Sequence, residues 1–427
     1  MNKKITYTLL VCASAAVLCL VKGVSAEDRG ALTWKDCVLE AIEHNPDLEA
    51  AFERIKQAKA DRDIVISGAA PQVTGSGSGS RSKSSGRKEA NSFSYGVTGQ
   101  QLVFDGFKTS SEVSAAIKTM EAARYDLDVV SSDIRLNLRD AFATLLRAQE
   151  LVGLTENIAE RRKQSLELVR LRYKAGREHR GALLTAEADL AQAEFEVAQA
   201  ERNISLAQRG LIKALGRERF SPIKVQGDFQ VKEVGRVKPD LENLADTTPL
   251  LMELIARKEA SKFGVMSAES DFFPQVYLNT SLGETASDWP PRKEEWSAGV
   301  SVSLPIFEGG SRIANVAKTK AKLRESRADE RSGRDGVLLT LEGAWKDLQD
   351  AMDSVSVKEK FLQATQERAK IADAQYSTGL ISFDDWIIIE DNLVSAKKDF
   401  LNAQATVLTA EATWVQAKGG TLEYDKK

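Results

Sequence analysis

Tyr173-x-x-Gly176 recurs as Tyr376-x-x-Gly379, 203 positions later, and the same shift brings many other residues into correspondence. Pro46 maps to Pro249, Pro71-Gln-Val73 to Pro274-Gln-Val276, Phe104-Asp-Gly106 to Phe307-Glu-Gly309, Glu187 to Glu390 and Leu190 to Leu393. The correspondence needs no gap over about 165 residues, and it falls on residues that punctuate secondary structure. The chain is therefore two tandem copies of one unit.

Each unit opens with helical pattern. Leu32, Val38, Leu39 and Ile42 predict a helix over Thr33 to Asn45, and a second begins at Pro46, where proline is tolerated in the first turn, and runs to about Ser67. A texture of period two follows. Val73 to Ser80 alternates with glycine and serine, Arg81 to Ala90 is polar, and Phe93, Tyr95 and Val97 recur at every second position. The second copy is clearer: Val276, Leu278, Thr280 and Leu282 alternate with polar residues, as do Trp296, Ala298, Val300, Val302 and Leu304. These runs predict strand pairs at about 72–104 and 275–307, of the length that crosses a bilayer when tilted. Phe93 aligns with Trp296 at a strand start, where an aromatic girdle would sit, so Phe93, Tyr95, Val97, Trp296, Val300 and Val302 are the expected membrane-facing positions. Two strands per copy give four per chain; four strands cannot close a barrel with a lumen, and an open sheet cannot face lipid, so several chains must share one.

After each strand pair comes a helical hairpin, at about 107–215 and 310–417. From Phe107 to Ala175 no proline appears and Leu127, Val130, Ile134, Leu138, Phe142 and Leu145 fall in steps of three and four. At ~1.5 Å per residue such a helix is a rod of roughly 100 Å, suited to a coiled coil or a tube of helices. Gly176 and Gly379 stop these helices, because glycine adopts the left-handed conformation without steric cost. The returning helix is rich in alanine (Ala186, Ala188, Ala191, Ala193, Ala198, Ala200), which lets neighbours approach closely.

Residues 1–26 have the form of a signal peptide: Lys3 and Lys4, an apolar run from Ile5 to Val21, then Val24-Ser-Ala26. Cleavage removes three lysines and takes the formal net charge from -3 to about -6, which with the absence of a basic stripe argues against nucleic acid. It also leaves Cys37 as the last cysteine, so no intramolecular disulfide forms and Cys37 is expected to be a buried core residue. No later run reaches ~18 apolar residues. The expected divisions are 1–26 signal peptide, 27–215 first repeat, 216–248 linker, 249–420 second repeat and 421–427 polar tail.

Enzymatic chemistry finds no foothold. His44 and His179 are the only histidines and lie in different segments, so no metal cluster can be written, and no nucleophile elbow or phosphate-binding loop is present. Asp384 and Asp385 are adjacent, and adjacent helical residues point about 100° apart. Neither a catalytic residue nor a cofactor or metal is expected. The charged stretches Arg161-Arg-Lys163 and Glu325 to Asp335 read as a solvated helix face or as the lining of a water-filled duct.

The order helix, strand pair, Phe-Asp/Glu-Gly, long helix, Tyr-x-x-Gly, alanine-rich helix, given twice behind a signal peptide, resembles the TolC-type outer membrane efflux family over nearly the whole mature chain. The resemblance implies a mixed, mainly α fold: a homotrimer with a 12-stranded transmembrane β-barrel, four strands per chain, continuous with a periplasmic α-helical barrel. It also implies a passive export channel in outer membrane lipid, without nucleic acid. Such a channel docks with a periplasmic adaptor and an inner membrane ABC or proton-driven transporter, for drug efflux or type I protein secretion. A periplasmic coiled-coil scaffold without a pore is the alternative. The Tyr-x-x-Gly turns would form the periplasmic tip, so Tyr173, Gly176, Arg177, Arg180, Tyr376, Gly379, Asp384 and Asp385 are the expected gate and docking residues. Tyr376 matches a gate tyrosine of the family, but the family's gate arginine and aspartate positions hold Ile381 and Ala182 here. Closure by Arg177 and Arg180 against Asp384 and Asp385 is the expectation that replaces them.

Overall fold

A computed structural model describes residues 31–83, 85–86, 89–229 and 237–423. The signal peptide expected at 1–26 and the last residues of the polar tail lie outside these. The elements are α1 (Trp34–His44), α2 (Pro46–Ser67), β1 (Gln72–Ser82), β2 (Ala90–Phe104), α3 (Lys108–Lys174) and α4 (Arg180–Leu215), followed by the short α5 (Leu241–Asp246). The second copy supplies α6 (Pro249–Ser270), β3 (Gln275–Ala286), β4 (Lys293–Ser303), α7 (Ser311–Thr378) and α8 (Phe383–Ala417). With 67 and 68 residues, α3 and α7 are rods of ~100 Å. No described helix is long and apolar enough to cross a membrane.

The duplication holds in three dimensions. Left-handed glycines occur in matched pairs, Gly106 with Gly309, Gly176 with Gly379 and Gly216 with Gly419. The last pair extends the repeat beyond the sequence matches and has a steric cause. A Cβ on Gly216 would lie 2.2 Å from the His44 carbonyl oxygen, before Pro46, and one on Gly419 would lie 2.2 Å from Pro249. Each glycine lets the end of a returning helix pass the proline turn that opens its own repeat. The caps match too: the His179 ring accepts from the Ala182 amide at the head of α4, and the Ser382 hydroxyl accepts from the Asp385 amide at the head of α8.

The four strands form one antiparallel sheet in the order β1-β2-β3-β4. Directly opposed residues share a face, so the register sorts the side chains. Phe93, Tyr95 and Val97 oppose Ala286, Glu284 and Leu282, while Leu282, Leu278 and Val276 oppose Trp296, Val300 and Val302. All six expected membrane-facing residues therefore share one face. The other face carries Ser78, Ser94, Asn279, Ser281, Ser297 and Ser301. There the Ser78 and Ser94 hydroxyls meet at 2.9 Å, and their repeat images Ser281 and Ser297 meet at 2.8 Å.

The helical half is a coiled-coil seam. In α4 Ala182 is buried at the first turn and Ala186, Ala193, Ala200 and Ala207 are buried at seven-residue intervals, whereas Ala188 and Ala191 are exposed. The alanine run in the sequence is thus two stripes, of which one meets α3. A larger core lies where α1 covers the α3–α4 pair, with Leu138, Phe142, Leu145, Leu211 and Leu215 at its centre and Cys37 fully buried within it. The remaining residues of the 216–248 linker include α5, whose Leu241 and Ala245 pack on Leu341, Trp345 and Leu348 of α7.

Candidate functional site: the hairpin tip and the sheet faces

At the tip the two hairpins are joined through Tyr376, which is 0% exposed. Its ring stacks on Trp386 at 4.4 Å with planes 6° apart, meets Phe383 edge-on, and carries the Arg172 guanidinium 4.5 Å above its centroid. Its hydroxyl donates to Glu178 Oε2 at 2.9 Å, and Arg172 Nη1 donates to its carbonyl oxygen at 2.7 Å. Burial, then the bond to Glu178, raises the tyrosine pKa, so the hydroxyl stays a donor at any physiological pH. Tyr173, the repeat image of Tyr376, is 39% exposed. The difference is one of neighbours: Arg172 and Glu178 of the first hairpin lie against Tyr376, and among the described residues Tyr173 makes neither a ring stack nor a side-chain hydrogen bond.

One step up the tube, Arg161 of α3 grips Glu390 of α8 by two bonds, Nε to Oε2 at 2.5 Å and Nη2 to Oε1 at 2.7 Å. It also reaches Asp373 of α7 at 2.8 Å, and Asp373 accepts the Trp386 indole N–H at 2.8 Å. Glu390 is buried. These bonds raise the Arg161 pKa, Glu390 contributing most, while burial lowers that of the neighbouring Lys397. On the adjoining face Arg162 pairs with Asp391, and Lys398 of α8 bonds Glu196 of α4 at 2.6 Å.

Arg177 and Arg180, and likewise Asp384 and Asp385, are exposed. Among the described residues no ion pair joins the arginines to the aspartates; Asp385 accepts from the Ser382 hydroxyl at 2.7 Å instead. Within one chain the side chains that join the two turns are instead Arg172, Glu178 and Tyr376. Arg172 and Glu178 flank Gly176, and the Gly turn swings Glu178 back under the second hairpin. A sequence signal was present in the acid two residues after that glycine, but its partner lies 198 positions away.

At the other end, aromatic residues mark both limits of the apolar sheet face. Trp289 packs edge-on against Phe93 and Tyr95 on the loop side, and Phe104 against Phe107 on the helix side. From Phe93 to Phe104, at ~3.4 Å per residue and a ~40° tilt, the strand rises ~28 Å, close to the ~25 Å apolar band of membrane barrels. At the strand-to-helix joint, Asp105 accepts from the Thr109 amide at 2.7 Å and its image Glu308 from Arg312 Nε at 2.9 Å. The acid of each Phe-Asp/Glu-Gly motif thus holds the head of a long helix.

Residues 38–217 and 241–420 match the family model of the outer membrane efflux protein, one match per repeat. The chain belongs to the outer membrane efflux protein family. Among its relatives, the outer membrane efflux protein BepC of Brucella suis is 23% identical over 414 residues, covering 92% of this chain and 89% of that protein. The toluene efflux pump outer membrane protein TtgC of Pseudomonas putida is 22% identical over 404 residues, covering 89% and 81%. The fold is that of CusC, with a TM-score of 0.83 at 20% identity over 90% of this chain and 92% of that one. The open state of the Neisseria gonorrhoeae MtrE outer membrane channel gives 0.82 at 20% identity over 92% and 90%. The efflux-protein family places the chain in the outer membrane.

Proposed function

We propose that the protein is a passive export duct, a homotrimer whose chains each give four strands to one outer membrane barrel and two hairpins to one periplasmic tube. The observation that carries this reading is the sheet: one face carries the Phe, Val, Leu and Trp residues with the β1 glycines, and Tyr95 with Glu284 at its loop end, the other is mostly Ser, Thr, Gly and Asn, and the sheet is continuous with helices of ~100 Å. An apolar outside and a hydroxyl-lined inside suit a water-filled pore in lipid. The pore-less scaffold has no use for such a sheet. Driving energy comes from an inner membrane transporter, coupled through a periplasmic adaptor that docks on the tip. There Arg177, Arg180, Asp384 and Asp385 present exposed charge, and the Tyr376–Glu178–Arg172 cluster latches the two hairpins in the closed state. The purified full chain, inserted in a planar bilayer, is expected to conduct ions; a protein that inserts without conductance, or that stays monomeric without detergent, overturns the proposal.

A further inference from the structure

Charge is sparse in the four strands, and the register sorts it sharply between the two faces. Arg81, Glu284 and Glu294 lie on the apolar face at its loop end. There Glu284 accepts from the Tyr95 hydroxyl at 2.5 Å, and Arg81 pairs with Glu89. On the polar face the charged strand residues are Lys293 and Glu295, two positions apart on β4 and therefore on one side of the sheet. They stand opposite Thr285 and Gly283 of β3, so no charged side chain faces them across the ladder. Lys293 Nζ donates to Glu295 Oε1 at 2.8 Å. Every other charge-bearing position of that face is taken by hydroxyl, amide or glycine, from Thr74 and Thr98 to Ser281 and Ser301.

The pair breaks the repeat. Its images 203 positions earlier are Ala90 and Ser92, so the second copy alone puts charge on the polar face. That face is also the concave one. Gly96 and Gly283 oppose each other on it, and a Cβ on Gly96 would lie 2.8 Å from the Leu282 carbonyl oxygen, one on Gly283 2.7 Å from that of Tyr95. The strands close up on this side, as glycine kinks permit in a curved sheet. A wall of hydroxyls and amides offers donors and acceptors to ions of either sign, whereas an uncompensated ring of one charge selects between them.

We propose that Lys293 and Glu295 are the charge-setting residues of the exit, and that by neutralising each other they leave it open to solutes of either sign. The proposal rests on the duct reading above, which makes the polar face the lumen, and adds the place on that face where charge preference is decided. Both side chains are well exposed, at 75% and 57%, so what matters is cancellation of charge and not a rigid contact. Paired, they present a solute with a short dipole. With either one removed, a full charge per chain remains at the mouth, and it acts over ~10 Å at 0.1 M salt.

The test is the reversal potential of the full chain in a planar bilayer, in a KCl gradient centred on ~0.1 M. Glu295→Gln is expected to shift the K⁺/Cl⁻ permeability ratio towards chloride by at least ~twofold, and Lys293→Gln towards potassium by a similar factor. The double variant is expected to return to the wild-type ratio, and Glu294→Gln, one residue away on the outward face, to keep it. Around ~1 M salt, where charge acts over only ~3 Å, both single shifts are expected to shrink, which a distorted pore would not do. Single variants that shift in the same direction or not at all overturn the proposal. So does a shift from Glu294→Gln as large as that from Glu295→Gln. A wild-type protein that inserts without conducting overturns the duct reading itself.

Discussion

The Tyr376 hydroxyl donates to the Glu178 carboxylate at 2.9 Å, a bond between the turns of two hairpins that are distant in sequence. Tyr376→Phe deletes that bond but keeps the Trp386 stack and the Arg172 contact, so the helices still pack. The net loss is about 1.5 to 3 kcal/mol, as for a hydrogen bond to a charged acceptor. If the cluster latches the tip, single-channel recordings of this variant will show several-fold more open time, and Tyr173→Phe, at the exposed image, will show no change.

Glu390 is buried and receives both arms of Arg161. Glu390→Ala leaves a guanidinium facing Asp373 alone, at a cost of about 2 to 3 kcal/mol, below the full penalty for breaking a buried pair because Arg161 keeps partial access to water. Thermal unfolding followed by circular dichroism is expected to show the loss for Glu390→Ala and a smaller one for Glu390→Gln. Because Glu390 is shielded, raising the salt will shift the wild-type midpoint little.

The two sheet faces make opposite predictions for adjacent residues. On the proposed barrel, Val300→Lys puts a charge on the lipid side, at about 2 to 4 kcal/mol near the bilayer midplane, and is expected to abolish assembly in outer membrane fractions. On the same proposed barrel Ser301→Lys faces the lumen and is expected to assemble and to move the reversal potential towards anion preference.

Burial pushes the Cys37 thiol up to about 12, with the Glu40 and Asp36 charges adding to it. A thiol raised above its unfolded value of ~8.5 contributes stability that is complete below pH ~8.5 and is lost as pH rises towards 12. Alkylation by iodoacetamide at pH 8 is therefore expected to be at least ~100-fold slower in the folded protein than in denaturant.

Much of the fold was legible because the chain states it twice. Period two in Val276 to Leu282 and Trp296 to Leu304 predicts the strands, and the observed register places Phe93, Tyr95, Val97, Trp296, Val300 and Val302 on one face. The tip was legible only in outline. Gly176 and Gly379 end their helices in left-handed conformation as expected, but the acid that meets Tyr376 is Glu178, and neither Arg177 nor Arg180 meets Asp384 or Asp385 within the chain.

The sequence by itself determined the duplication, the long helices, the strand pairs and the hairpin turns. These follow from local rules: backbone freedom at glycine, the missing amide of proline and the periods of helix and strand. The tertiary structure decided which of two equivalent tyrosines is buried, which alanines form the seam, and how Arg161 joins α8 to α7. A periodic pattern gives a face but not the neighbour that covers it. The neighbour is fixed by packing between segments about two hundred residues apart, and α3 has α8 beside it where α7 has an open groove.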